Sequence, residues 1–217
     1  MLANTILRAV LVAGIGYAGQ AAVSKSEVVQ TTVSIEYAAN ELPSSVTVTT
    51  QANIGASRYL RVEGWNGTLI HELNYKSGVA RLWISGEGHS YESRKAPVKG
   101  AQVADNEKRD VKLKPGATVM FQGQVCTRQI EKQGEFTTET LRSVTDPGDF
   151  VASKTTRSGK LVLSFLQVQK RPCKPEDLLL FTMPKGKAIT ISRAGLNQLL
   201  TDFLSKAKMR THSTTGK

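Results

Sequence analysis

Residues 158–209 decide the fold and read SGKLVLSFLQVQKRPCKPEDLLLFTMPKGKAITISRAGLNQLLTDFLSKAKM. The stretch starts with a strand-forming run that carries six basic residues and ends in a short amphipathic helix. Ser192 stands at the position of a helix N-cap. The apolar residues that follow it recur at helical spacing and form one stripe: Leu196, Leu199, Leu200, Phe203 and Leu204. This pattern predicts a helix that packs on a sheet.

The residues in front of this helix predict strands. Residues 160–169 are apolar on both faces, which is typical of a strand that is covered on both sides. Pro172 and Pro175 predict a break, because proline cannot donate to a ladder. Residues 178–182 and 188–191 predict two further strands, with a basic turn around Gly186 between them.

Upstream, residues 27–88 predict a meander of β-strands, with a tight hairpin turn at Asn66-Gly67. Residues 89–114 are charged and poor in large apolar side chains, so they predict an exposed loop or linker. Residues 115–210 predict a second β region plus the helix, and residues 146–149 (DPGD) a turn within it. Residues 211–217 predict a frayed tail. The expected fold is mainly β with a carboxyl-terminal helix (α+β), with antiparallel sheets and the helix packed on the last sheet.

The charge of the chain favours a polyanionic partner. Its 217 residues contain 29 Lys and Arg against 18 Asp and Glu, a net charge of +11. Such an excess attracts phosphates and releases their counterions. The cations are scattered rather than clustered in one run, which predicts that they are mounted on folded structure.

The carboxyl-terminal segment resembles a group of single-stranded nucleic-acid-binding proteins. The group includes the transcriptional positive cofactor, the plant Whirly proteins and trypanosomatid mitochondrial guide-RNA-binding proteins. The residues that carry the resemblance are the strand 159–163, the connection 172–178, and residues 187–192 (KAITIS) leading into the leucines of the helix. The resemblance implies that unpaired bases bind to a sheet surface and that the protein assembles into dimers or tetramers, with itself or with other subunits.

The expected partner is therefore single-stranded nucleic acid, with RNA favoured over DNA. The expected phosphate contacts are the cations of the carboxyl-terminal segment: Lys160, Lys170, Arg171, Lys174, Lys185 and Lys187. An exposed aromatic ring, Phe165 or Phe181, is the candidate for base stacking. The alternative is that both phenylalanines belong to the core.

Residue patterns typical of enzymes are missing from the sequence. It has no Ser/His/Asp arrangement, phosphate-cradling glycine loop or paired-carboxylate motif, so we expect a non-enzymatic protein with no cofactor and no small-molecule substrate. Cys126 and Cys173 match no zinc pattern, and the three histidines form no cluster. The cysteines are either two reduced thiols or, in an oxidising compartment, a disulfide.

Residues 1–26 predict a targeting or amino-terminal apolar segment. Residues 5–23 carry one cation, Arg8, and no acid, a pattern shared by mitochondrial presequences and secretory signals. A buried amino-terminal element is a third interpretation, and a stable membrane span is not expected. The expected location is mitochondrial, with secretion or the periplasm as the alternative.

A structural role is the competing functional hypothesis. An exported β-sandwich protein of an envelope complex, appendage or capsid fits the apolar amino terminus and the meander. The placement of the cations separates the two hypotheses. A continuous basic stripe on one sheet favours nucleic acid, whereas scattered cations together with an apolar edge favour assembly.

Overall fold

The computed structural model describes residues 28–40, 42–94, 116–145 and 150–206, which lie in one compact unit. This part of the chain is mainly β. The strands, in chain order, are β1 Val28–Tyr37, β2 Pro43–Ile54, β3 Ser57–Gly64, β4 Gly67–Asn74, β5 Val79–Ile84, β6 His89–Arg94, β7 Thr118–Phe121, β8 Gln124–Gln133, β9 Phe136–Ser143, β10 Phe150–Arg157, β11 Lys160–Pro172 and β12 Lys187–Thr190. A 3₁₀ helix, Pro175–Phe181, and the α-helix α1, Arg193–Lys206, follow β11 and β12.

All twelve strands form one sheet, in the order β12-β6-β5-β4-β3-β2-β1-β11-β10-β9-β8-β7. The strand pairs are antiparallel except for β12, which is parallel to β6. Because β1 pairs with both β2 and β11, the two predicted β regions are joined in one sheet. The prediction of mainly antiparallel β structure with a carboxyl-terminal helix is confirmed, but the described strands do not form separate sheets.

The meander β1 to β6 follows the turn signals of the sequence. The hairpin between β3 and β4 turns at Trp65-Asn66, one residue before the predicted pair. Gly67 then takes a φ of +110°, which L residues rarely adopt. The backbone N–H of Thr68 donates to Ser85 Oγ at 2.8 Å, which ties this hairpin to the end of β5.

One face of the sheet carries α1, and we call it the helical face. Leu196 and Phe203 of α1 pack on buried residues of β3 to β5, among them Val62, Leu69 and Leu82. The predicted cap is present, since the backbone N–H of Gly195 donates to Ser192 Oγ at 3.0 Å.

The predicted place of the helix, on the last sheet, is wrong. The helix lies on the meander because β12, the strand before it, pairs with β6.

The opposite face of the sheet is covered near β3 and β4 by the 3₁₀ helix. Phe181 is buried there with Val29, Ala52 and Ile70, and its ring lies 5.3 Å from that of Tyr59. The meander is therefore sandwiched between two helical elements, one on each face.

Two local predictions in the carboxyl-terminal segment are corrected by the structure. The strand predicted for residues 178–182 is mostly a 3₁₀ helix, because Pro175 occupies its first position and Asp177 Oδ2 accepts the backbone N–H of Lys174 at 2.7 Å. Strand β11 continues to Pro172 rather than ending at residue 169. Pro172 is the last residue of the strand and pairs with the first residue of β1. Its missing N–H therefore lies at the end of the ladder and removes no hydrogen bond from the middle of it.

The charged segment 89–114 begins with a strand, β6, in place of the predicted loop. Tyr91 and Ser93 point to the helical face beside Leu82 and Ala80. The residues that alternate with them are polar, so the sequence of this strand contains no apolar run that would predict it. The rest of that segment, the amino-terminal residues 1–26, the turn 146–149 and the tail 211–217 lie outside the described residues. Neither helix in the described part of the chain is long and apolar enough to cross a membrane.

Candidate nucleic-acid interface

The predicted phosphate-binding residues of β11 lie on both faces of the sheet. Lys170 pairs with Gln30 of β1 on the helical face, whereas the next residue, Arg171, pairs with Val29 on the opposite face. Lys160 is exposed on the helical face, but it stands at the other end of the strand, roughly 33 Å from Lys170 at the rise of an extended chain.

Arg171 has a structural partner. Its guanidinium donates two hydrogen bonds to the carboxylate of Asp177, at 2.6 and 2.5 Å, and Asp177 is 3% exposed. The hydrogen bonds from Arg171, and then from the backbone of Lys174, hold the pKa of Asp177 well below its usual range. This bidentate pair fixes the start of the 3₁₀ helix, and the predicted contact of Arg171 with phosphate would compete with it.

The remaining predicted cations lie elsewhere. Lys174 caps the 3₁₀ helix and lies 3.9 Å from Glu176, and Lys185 is exposed after that helix. Lys187 opens β12 at the edge of the sheet, with β6 and the whole of β1 to β5 between it and β11. The six predicted cations therefore do not form one continuous stripe.

The two candidate stacking rings differ in exposure. Phe181 is 4% exposed and belongs to the core, so the prediction that it stacks on bases is wrong. Phe165 is half-buried on the helical face, where it pairs with Ser34 and meets Phe150 edge to face at 6.2 Å. Part of the Phe165 ring stays available on the face that also carries Lys170.

Five cations on strands of the opposite face are paired with acids. Arg81 and Arg94 both contact the carboxylate of Glu92, at 3.0 and 2.8 Å. Hydrogen bonds from Arg94 and then Arg81 lower the pKa of Glu92, which keeps it charged. Arg61 pairs with Glu63 at 2.8 Å in the same way, and Arg128 and Lys154 share Glu139. A polyanion therefore meets little uncompensated charge at these five residues.

The helical face brings together cations that the sequence did not single out. Arg58 of β3 and His71 of β4 lie diagonally across neighbouring strands, and Arg193 reaches them from the first position of α1. Arg58 donates to Gln51 Oε1 at 3.1 Å, and Arg193 donates to the carbonyl of Gly78 at 2.6 Å. Within the described residues, neither arginine forms an ion pair with an acid.

The imidazole of His71 is largely buried within this group of cations. Burial, followed by the charges of Arg193 and Arg58, lowers the pKa of His71 to about 4. His71 Nε2 and Arg193 Nε are buried without a hydrogen-bond partner among the described residues. Burial and the two arginine charges together keep the histidine neutral even at mildly acidic pH.

A row of amides extends from this site across the sheet. Gln51 of β2 pairs with Gln30 of β1, which pairs in turn with Lys170 of β11. Gln30 Nε2 also donates to Gln167 at 3.4 Å. We call this surface the basic face and define it by the polar residues that share it: Arg58, His71, Arg193, Gln51, Gln30 and Lys170.

The sequence did not lead us to predict Arg58 and Arg193, although it contains a signal for each of them. Arg58 has the same strand parity as Leu60 and Val62, so it is a cation on the apolar face of an alternating strand. Arg193 follows the N-cap directly, where the helix dipole disfavours a positive charge, and the first turn contains no acid. A cation in an unfavourable place is a reason to look for an anionic ligand.

The cysteines and possible metal ligands add no further site. Neither Cys126, which is buried, nor Cys173, which is half-buried, forms a disulfide, although both lie in the described part of the chain. Burial raises the pKa of the Cys126 thiol. Among the residues that the structure describes, no three His, Cys, Asp or Glu side chains are grouped to hold a metal ion.

Comparison with known proteins gives a likeness of fold alone. No protein-family model matches the sequence. No curated protein sequence matches it. An uncharacterized conserved protein from Thermus thermophilus is similar in structure, with a TM-score of 0.50 and 10% sequence identity over 82% of this chain and 99% of that one.

PNGF-II, solved in two crystal forms, gives TM-scores of 0.40 and 0.38 at 12% identity. These matches cover 81% and 84% of this chain but only 33% and 34% of PNGF-II. This chain therefore spans about a third of PNGF-II, while it shares its fold with the Thermus protein.

Proposed function

We propose that this protein binds single-stranded nucleic acid, without catalysis, on the basic face. One observation carries the proposal: Arg58 and Arg193 converge on that face with no acidic partner among the described residues, while Arg61, Arg81 and Arg94 on the opposite face are paired with acids. Converging cations cost electrostatic free energy in the free protein, and a bound phosphate relieves that cost.

The geometry suggests a path for the strand. One phosphate lies between Arg58 and Arg193, and the backbone continues over the amides of Gln51 and Gln30 towards Lys170. Three strand spacings separate β3 from β11, so the path is about 14 Å long, which suits a few nucleotides. The exposed part of Phe165 offers a partial stacking surface further along β11, and the amide groups donate to phosphate or base oxygens without selecting a sequence.

A fluorescence-anisotropy titration tests the proposal. Labelled single-stranded oligonucleotides of RNA and DNA are titrated with the full chain at several salt concentrations. The double variant Arg58→Gln/Arg193→Gln is compared with a control of equal charge change on the opposite face, Arg94→Gln/Arg128→Gln. We expect affinity to fall as salt rises. The slope of log K against log salt should become shallower by about 0.7 in the first variant only, the share of one phosphate contact on a single strand. Equal losses in both variants would show that net charge alone, and not this site, drives binding.

Assembly through a sheet edge is the second candidate function, and it is favoured by the scatter of the six predicted cations and by an apolar edge of the sheet. Strand β7 ends the sheet order, and apolar side chains at that end are exposed, with Met120 at 67%, Val125 at 43% and Val144 at 47%. An edge strand with exposed apolar residues is a template for pairing with another chain. Sedimentation of the wild type and of Met120→Lys tests this role. A concentration-dependent oligomer that Met120→Lys dissociates supports assembly, and a wild type that stays monomeric contradicts it.

A further inference from the structure

Three consecutive leucines on the 3₁₀ helix are exposed to solvent. Leu178 is 41% exposed, Leu179 75% and Leu180 40%. We call these three residues the leucine turn. A run of three large apolar side chains on a surface is unfavourable in water, and in a folded protein it marks a place of contact.

The backbone under the leucine turn is firmly anchored. On one side Asp177 is held by Arg171 and by the backbone N–H of Lys174, and on the other Phe181 is buried in the core. Arg61 Nη1 donates to the carbonyl of Leu180 at 3.0 Å. The leucines are therefore presented by a fixed turn, because the buried residues on either side leave the chain no freedom to fold them inward.

Exposed lysines flank the leucine turn in the chain. Lys174 precedes it and Lys185 follows it, each within a few residues, and Lys187 comes two residues later. The exposed acid near the turn, Glu176, lies 3.9 Å from Lys174, so it offsets part of that charge only. An apolar tip flanked by cations is complementary to an anionic bilayer, whose interior accepts the leucines while its headgroups attract the lysines.

We propose that the leucine turn inserts into the surface of an anionic lipid membrane. Leu179 enters first, because it is the most exposed of the three, and the lysines lie at the level of the headgroups. The turn stands on the face opposite Arg58 and Arg193, so membrane contact leaves the basic face open to solvent. The inference is thus independent of nucleic-acid binding.

Vesicle co-sedimentation with the full chain tests this inference. Vesicles of phosphatidylcholine alone are compared with vesicles that also contain phosphatidylserine. We expect binding to the anionic vesicles, weakened by salt, and a loss of at least about tenfold in the variant Leu179→Ser, since one leucine leaves the bilayer. Lys185→Gln/Lys187→Gln should bind the anionic vesicles several-fold more weakly.

The matched control is Ile130→Ser, which removes another exposed apolar side chain, on β8 towards the far edge of the sheet, and should bind like the wild type. Leu179 is mostly exposed, so its variant should fold, and circular dichroism together with an unchanged unfolding midpoint in urea verifies this. No binding of the wild type to anionic vesicles, or equal binding of Leu179→Ser, would overturn the inference. A wild type that forms dimers, which Leu179→Ser dissociates, would also overturn it by identifying a second copy of the chain as the occupant.

Discussion

At the scale of single residues, Lys170 and Arg171 show why a cluster of cations in the sequence is not a cluster in space. They are neighbours in the chain, but successive residues of a strand point to opposite faces, so they belong to different surfaces. Arg58 and Arg193 are 135 positions apart in the chain and yet lie near the same histidine. The alternation of side chains along a strand is enough to predict that Lys170 and Arg171 face opposite sides of the sheet. The proximity of Arg193 to Arg58 follows only from the fold.

His71 makes the stability of the protein depend on pH. Its pKa is about 4 in the folded state and near 6.5 in the unfolded chain, so the unfolded chain binds the extra proton between these values. Stability is therefore lost as the pH falls from about 6.5 towards 4. We expect a loss of roughly 2 kcal/mol between pH 7 and pH 5, measured by denaturant unfolding.

The variant His71→Gln is the control, because it has no group that titrates in this window. It should lose clearly less stability than the wild type over the same pH range. An equal loss in both proteins would mean that His71 is not the group responsible.

The ion pair between Asp177 and Arg171 makes the stability of the protein depend on pH in a lower pH range. The pKa of Asp177 is lowered by its hydrogen bonds with Arg171 and the backbone of Lys174, so its stabilising effect is complete above the pKa of an unfolded aspartate, about 4, and is lost as the pH falls below it. Asp177→Asn should lower the unfolding midpoint by the same amount at pH 7 and at pH 5, and by less at pH 3.

Glu176→Gln is the matched control for Asp177→Asn, because Glu176 is the neighbouring acid but its side chain is 63% exposed. Its effect on the midpoint should be small at every pH. If the effect of Asp177→Asn does not shrink at pH 3, the account of this ion pair is wrong.

At the scale of elements, α1 stabilises the meander through a few buried side chains. Leu196 is fully buried against β3 to β5, so Leu196→Ala leaves a cavity under the helix. We expect the free energy of unfolding to fall by about 2–5 kcal/mol in denaturant titrations. Asn197→Ala, at the next and exposed position, should change it by less than about 0.5 kcal/mol. Similar effects of both variants would contradict the packing of α1 on the helical face.

Elements with local signals could be predicted from the sequence, and elements fixed by distant contacts could not. The cap at Ser192, the apolar stripe of α1 and the hairpin near Gly67 depend on a few adjacent residues. The run around Leu179 has the apolar character of a strand, and it becomes a 3₁₀ helix because Arg171 and the core hold Asp177 and Phe181. The placement of α1 depends on the pairing of β12 with β6, for which the sequence contains no local signal.

At the scale of the whole described unit, β1 is the strand that makes one sheet from two regions. Val29 of β1 is 1% exposed, and the strand pairs along most of its length with both β2 and β11. Such a continuous sheet should unfold in one cooperative transition rather than in two. A sequence-level division at the charged segment predicts two independent regions instead.

Two probes on different parts of the sheet test this cooperativity. Tryptophan fluorescence reports on Trp83 in the meander, and thiol labelling in a Cys173→Ser background reports on the buried Cys126 of β8. Both midpoints should coincide in urea, and Val29→Ala should lower both by the same amount, about 2 kcal/mol in free energy. Separate midpoints, or a shift of one probe only, would contradict a single cooperative sheet.

The most direct test of nucleic-acid binding on the basic face is the pKa of His71 with and without a single-stranded oligonucleotide, followed by NMR of the imidazole. Burial and then the charges of Arg193 and Arg58 depress this pKa, and a phosphate held by the two arginines offsets their charges, so binding should raise the pKa of His71 from about 4. An oligonucleotide that binds and leaves the pKa of His71 unchanged would contradict the proposed site.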